Sequence, residues 1–338
     1  RADVVYYRPL GIGIYFWGIK TIFGLKPFLF HFLSLIFHFI NTLLVYKLSK
    51  GIIKGKIFGW LAAFLYGISA VHFLSLGWIV NFSYILGTFF YFLAFLGWLK
   101  KNYLLFFTAF IFGLFSNEFL ITLPLILLGY SWLINDNKKK KIFSAFLITF
   151  IYLILRLFIF RAAQGGEYEI SLNPKVWLNN YQWYFLWSLG WPETMRDQLV
   201  NLFVINPYSD FLKNFKKEFI LFYVGFYFIF LSLAILIIKN LLNKKIFIIK
   251  PLIFCLLWFL IGLLPVVFLQ KHAYPHYNCI SLFGLVLFID YLFNHLKGKI
   301  KTLFIFVFVL IWFFVSKISV DLSIKVHWLI WHSKLSEK

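Results

Sequence analysis

Apolar residues run along the chain in long blocks separated by short polar breaks. A bilayer core takes about 20 apolar residues per helix. Blocks of that order fall near 27–48, 57–79, 82–99, 103–116, 118–134, 142–161, 219–238, 251–269, 279–296 and 302–320. The pattern therefore predicts an all-α polytopic bundle of about ten spans. The blocks at 103–116 and 118–134 are short, and Ser116, Asn117 and Glu118 between them read as a tight turn or a polar interruption. Residues 176–191 are rich in Trp but carry Asn179, Asn180 and Gln182, which suits a re-entrant or interfacial helix better than a span. Pro9 to Leu25 reads the same way. Three regions follow: one transmembrane domain over 1–320, a large loop with its interfacial helix at 162–218, and a short tail at 321–338.

Composition agrees with the pattern. Hydrophobic residues make up 62% of the 338 positions and charged residues 13%, against about 25% charged in ordinary soluble domains. This describes an integral membrane protein. The net charge of +21 does not point to nucleic acid, because the Lys and Arg sit in the breaks between apolar runs instead of forming one stripe. Lys and Arg in short loops favour the cytoplasmic side. Lys47, Lys50, Lys54 and Lys56, the pair at 100–101, Lys138 to Lys141, four lysines in 239–250 and three in 297–301 alternate with breaks that carry only Lys271. On this parity residue 1 and the C-terminus lie outside. Glu118, Glu167 and eight other acids then share the outer side, with only Asp136 and Asp290 inside.

Heavy use of Lys, Ile, Phe and Asn points to a prokaryotic plasma membrane. Cys255 and Cys279 make neither a disulfide framework nor a metal-ligand spacing. No phosphate-binding glycine loop, dinucleotide fingerprint, hydrolase order or zinc spacing is present.

Five stretches in order carry a resemblance. They are YYRPL at 6–10, KPFLFHFLSLIFHFINTLLVYKL at 26–48, GISAVHFLSLGWIVNFSYILGTFF at 67–90, SNEFLITLPLILL at 116–128 and LLPVVFLQKHAYPHYNCISLFGL at 263–285. Together they resemble membrane glycosyltransferases of the GT-C fold, in particular the protein O-mannosyltransferase relatives and the transmembrane O-mannosyltransferases that carry tetratricopeptide repeats. Arg8, Pro9, Leu10, His72, Ser116 and Glu118 match positions of those motifs. Ser69, Leu74 and Asn117 depart from them, and the repeat array is missing. The resemblance implies a GT-C-like fold and transfer of a sugar from a polyprenyl-phosphate donor to a protein, lipid or glycan acceptor at the outer face. It also implies a first span and an Asp-bearing loop upstream of residue 1, so the catalytic carboxylate is expected outside this sequence. A non-catalytic relative and a lipid or polysaccharide transporter are the alternatives, although no internal repeat of the transporter kind is visible.

Such transfer needs a base for the acceptor hydroxyl and cations for the departing phosphate. Arg8 is the first candidate for the phosphate, its planar donors suiting paired oxygens, with an interfacial anchor as its alternative. Glu118, between two apolar runs, is either functional or a surface carboxylate in a tight turn that caps the next helix, for which Ser116 before it also argues. Lys271, His272 and Tyr277 read as donor-phosphate or sugar contacts or as interfacial anchors. Pro275 argues against a metal pair at His272 and His276, so neither metal nor cofactor is expected. His72 is a candidate substrate contact or a structural histidine. His31 and His38 share a helix face and read as helix-to-helix hydrogen bonders. Arg156 and Arg161 face either lipid or donor phosphate, and Glu167 and Glu169 read as a solvated loop.

Overall fold

The structure is a computed structural model and describes residues 7–52, 59–135, 139–159, 166–201, 204–205, 210–242, 249–296, 298 and 300–326. Arg161, Asp136 and most of the predicted tail at 321–338 lie outside the described residues.

The chain opens with a π-helical turn, Pro9–Ile14, leading into α1 (Tyr15–Phe23), which ends at Gly24 with a φ of 75°. Then come α2 (Pro27–Ile52), α3 (Trp60–Gly67), α4 (Phe73–Gly77), α5 (Phe82–Leu99) and α6 (Tyr103–Leu114). After the 3₁₀ turn Glu118–Thr122 follow α7 (Leu123–Ile134), α8 (Lys139–Ile154) and α9 (Pro174–Ser188). The last elements are α10 (Asp210–Leu242), α11 (Ile249–Gly262), α12 (Leu264–Val267), α13 (Leu282–Asn294) and α14 (Ile300–Val326). A two-strand antiparallel ribbon, Leu199–Asn201 with Val204–Ile205, is a small exception to the helical fold.

Each of the ten predicted blocks contains helix. Among the described residues, five helical segments are long and apolar enough to cross a membrane: Pro27–Ile52, Ile79–Leu99, Lys140–Ile159, Asn214–Asn240 and Lys301–Val326. The block at 57–79 is bent by 44° between Trp60–Gly67 and Ala70–Gly77 and makes a sixth if the pair is one span. Ser69 breaks it: its backbone is extended and its Oγ accepts from the Val71 N–H at 3.4 Å. The remaining four blocks hold apolar helices of only 10–17 residues.

Two boundaries also move. Helix precedes the expected start near 219, from Asp210, but α10 is kinked at Phe215 (φ −125°, ψ 27°), and α14 continues to Val326, past the predicted start of the tail.

α5 is the centre of the bundle. It packs against α2 and α6, and 72% of its apolar window is buried, against about a third in α2, α10 and α14. Those outer helices expose Phe39, Val224, Phe230, Leu303 and Phe306, side chains whose contact with water is unfavourable and with hydrocarbon is not. A second seam joins α11 to α13. A Cβ on Gly284 would stand 2.5 Å from the Cys255 carbonyl oxygen, so only glycine lets these backbones approach. Beside it the Trp258 indole N–H donates to the Ile280 carbonyl at 3.0 Å and its ring packs edge-on to Phe95 and Phe283.

The two ends of the bundle differ in chemistry. At one end Gly59, Asn135, Lys141, Lys250, Asp290 and Lys301 are brought together: Gly59 N–H reaches Asp290, Lys250 reaches Asn135, Lys301 reaches the Asn294 carbonyl, and Lys141 lies over the Tyr103 ring. At the other end lie Arg8, Ser83, Tyr84, Glu118 and the loop 269–277.

α9 is not a helix lying loose at a surface. Asn180, Trp183, Tyr184 and Trp187 are buried against the bundle. Asn180 Nδ2 donates to the carbonyls of Val267 at 2.8 Å and Leu269 at 2.9 Å, and Asn278 Nδ2 donates to the Tyr184 carbonyl at 2.9 Å. Asn180, one of the polar residues of α9, completes the backbone bonding of the neighbouring segment.

Candidate functional site

Arg8 reaches the site through the π-helical turn. Pro9 at its first position has no N–H to satisfy, and the Leu10 N–H donates to the Phe115 carbonyl at 3.1 Å. Gly11 seats the turn: a Cβ there would stand 2.6 Å from the Ser116 carbonyl oxygen and 2.7 Å from Ser83 Cβ. The Arg8 side chain is thereby buried, only 5% exposed as a residue. Its Nε donates to Glu118 Oε2 at 2.7 Å, Nη1 to Ser83 Oγ at 3.0 Å, and Nη2 to Tyr84 Oη at 3.1 Å and to Glu118 Oε1. The two leading candidates, 110 positions apart, are thus each other's partner. Arg8 already grips a carboxylate with the paired donors that the sequence reading reserved for phosphate.

The side-chain cap at the start of the turn is neither Glu118 nor Ser116. Ser116 Oγ donates back to the Phe112 carbonyl at 2.8 Å, and Asn117 is the cap, its Oδ1 accepting from the Phe119 N–H at 3.0 Å. Glu118 at the first position of the turn is left free to face Arg8.

Two cavities meet at Arg8, Tyr84, Tyr168 and Tyr277. The first, about 310 Å³, is also lined by Trp78, Asn81, Glu167, His272, Tyr274 and His276. The second, about 250 Å³, is lined by Glu118, Tyr152 and Arg156 and by an apolar wall that includes Phe119, Ile121, Leu153, Leu157, Ile170, Val266 and Leu269. Two guanidiniums against one carboxylate leave it with a net positive charge. The buried Tyr152 hydroxyl on its wall has no partner among the described residues.

Glu167 is brought to the first cavity by pairing of its loop with 268–270. Ile170 bridges Leu269, Ser171 N–H donates to the Phe268 carbonyl at 2.8 Å, and the Trp177 indole holds Ser171 from α9 at 2.6 Å. The Glu167 carboxylate then accepts from His272 Nδ1 at 3.1 Å, across 105 positions of chain. The His272 ring lies against Tyr168, centroids 4.3 Å apart, and edge-on to Tyr274 at 4.9 Å. Burial pushes the imidazole below its ordinary value of 6.5; Glu167 opposes that shift and the Arg8 charge reinforces it. Burial raises the Tyr168, Tyr274 and Tyr277 hydroxyls, so they stay protonated.

The other candidates separate. Tyr277 is buried and lines both cavities. His272 lines the first, but as a neutral ring beside a carboxylate it is not a cation for phosphate. Lys271 is exposed and lines neither cavity. His72 also lines neither: it is buried with its ring 4.4 Å from His38 and 4.6 Å from Tyr66, and Nδ1 is 3.7 Å from Cys279 Sγ. Its surroundings are those of a packed interior histidine. His31 and His38 meet the carbonyls of Leu76 and Gly67, each at 2.9 Å, tying α2 to the bent pair. No group of three or more His, Cys, Asp or Glu that could hold a metal occurs among the described residues.

Ser83, Tyr84, Tyr152 and Tyr168 are not among the sequence candidates, whereas Glu167 is the exposed loop residue expected, its side chain 64% exposed, and also meets His272. Asn81, Ser83 and Tyr84 do stand out as polar positions opening an otherwise apolar helix, which is the signal that could have found them. The chain matches no protein-family model, no curated protein and no solved structure.

Proposed function

We propose that the protein is a multi-pass membrane glycosyltransferase that moves a sugar from a polyprenyl-phosphate carrier to a hydroxyl acceptor, with its site at the outer face. The observation that carries the reading is the pair of unlike cavities meeting at Arg8 and Tyr84. One has an apolar wall and an excess of positive charge, suited to a phosphate on a lipid tail; the other is lined by hydroxyls, imidazoles and a carboxylate, suited to a polar sugar and its acceptor.

In this reading Arg156 meets the phosphate and Arg8 keeps Glu118 in place while sharing its charge with the cavity. The apolar wall from the 3₁₀ turn after Glu118, α8 and the segment after Pro265 receives the first isoprene units. The reaction asks for charge stabilisation where the phosphate leaves, and a guanidinium in a water-poor cavity supplies it more strongly than one in bulk water. The lysine spacing along the sequence supports an outer-face site, since Lys and Arg in short loops favour the cytoplasmic side. The resemblance to GT-C enzymes, noted on Arg8-Pro9-Leu10 and Ser116-Asn117-Glu118, points the same way.

The test uses the protein in liposomes with a radiolabelled polyprenyl-phosphate hexose, following both donor binding and sugar release to water or added acceptor. The wild type is expected to bind and turn over the donor. Arg156→Ala should weaken donor binding at least tenfold, and Glu118→Gln should lower turnover by about 10²-fold. A wild-type protein that neither binds nor cleaves such donors would end this reading.

A further inference from the structure

The geometry points to His272 as the base that removes the acceptor's proton, with Glu167 as the residue that positions it. This rests on the glycosyl-transfer reading and identifies its acceptor side as the cavity lined by His272.

A carboxylate can only accept a hydrogen bond, so the 3.1 Å contact with Glu167 places the proton of a neutral His272 on Nδ1. The lone pair is then on Nε2. Among the described residues nothing hydrogen-bonds to Nε2, and it is not one of the buried polar atoms without a partner, so it is open to the cavity. The groups around the ring are Glu167, the Tyr168, Tyr274 and Tyr277 hydroxyls, and the charge of Arg8. Lys271 next in sequence is exposed. The tyrosine hydroxyls are held protonated, and the Glu167 carboxylate faces Nδ1 and not Nε2. Glu118, the other acid at the site, has both oxygens taken by Arg8. It is therefore the poorer base, and His272 is the better placed one.

The step balances as follows. The acceptor oxygen forms a bond to the anomeric carbon while the bond from that carbon to the phosphate oxygen breaks, its electron pair leaving with the polyprenyl phosphate. The acceptor proton passes to His272 Nε2. The imidazolium so formed is stabilised by the adjacent Glu167 carboxylate and returns its proton to water.

Hydrolysis of a polyprenyl-phosphate hexose by the liposome-embedded protein, with water as the acceptor, is the test. In the wild type the rate should fall on the acid side as His272 becomes protonated, with a midpoint below 6.5. His272→Gln should lower the rate about 10²- to 10⁴-fold and remove that acid-side fall. Glu167→Gln, which leaves the ring in place, should move the fall to lower pH, because the carboxylate is what raises the imidazole's proton affinity. An active wild type whose rate and acid-side fall both survive in His272→Gln overturns the inference. An inactive wild type defeats the transfer reading, and diethyl pyrocarbonate then decides the pair alone: an open, neutral Nε2 is carbethoxylated at pH 7, whereas an unmodified His272 overturns it.

Discussion

Two carboxylates, one fully buried and one part-exposed, do different work. Asp290, fully buried on α13, accepts the Gly59 N–H at 2.8 Å and lies near Asn294; it lines neither cavity. Glu118 accepts two donors of a full guanidinium charge and opens on a cavity that also holds Arg156. The same functional group holds a backbone N–H from a distant segment in one place and pairs with a guanidinium beside empty space in the other. What distinguishes them is the partner, the adjoining space and the exposure that this space leaves to Glu118.

The largest expected effect breaks the Glu118 side of this comparison. Arg8→Met leaves a carboxylate without its counter-charge and should destabilise the protein by about 3 kcal/mol, the lower end of the range for such losses because Glu118 retains some exposure. Arg8→Met combined with Glu118→Met should recover much of that stability while leaving the protein inactive. Thermal unfolding in detergent, read with donor turnover, gives both numbers; full activity in the double variant would remove the pair from the site.

Asp290→Ala should cost about 2 kcal/mol by orphaning the Gly59 N–H, with turnover per folded molecule unchanged. A loss of turnover at constant folded fraction would place Asp290 in the chemistry and erase the contrast. The smallest effect sharpens the local account of Glu118. Asn117→Ala should cost about 1 kcal/mol through the lost cap, and Ser116→Ala less, since its hydroxyl only bonds back within α6. The reverse order in thermal midpoints would restore Ser116 as the cap.

Much of the helical frame was legible. The apolar blocks mark where helices form because a helix satisfies its own backbone bonds and needs only apolar side chains to lie in hydrocarbon. Among the described residues, Lys141, Lys250 and Lys301 sit at helix starts next to the lysine-bearing breaks. Lengths were less so: Ser69 divides one block by turning its own backbone, and α12 follows the end of α11 at Gly262. Of the site, Arg8, Glu118, His272 and Tyr277 were picked out by being polar near apolar runs. Lys271 and His72 met the same criterion and lie elsewhere, because that criterion carries no direction for the side chain.

The sequence by itself determined the class of structure, since hydrophobic length and charge placement act locally and need no partner to be read. Only the tertiary structure decided which groups meet. Arg8 with Glu118 and His272 with Glu167 each join segments more than a hundred positions apart. Such pairs depend on how closely backbones approach at Gly11 and at the bridge between Ile170 and Leu269, and on the orientation each packed helix gives its side chains. Those quantities belong to the packing of many residues at once, and no single stretch of chain contains them.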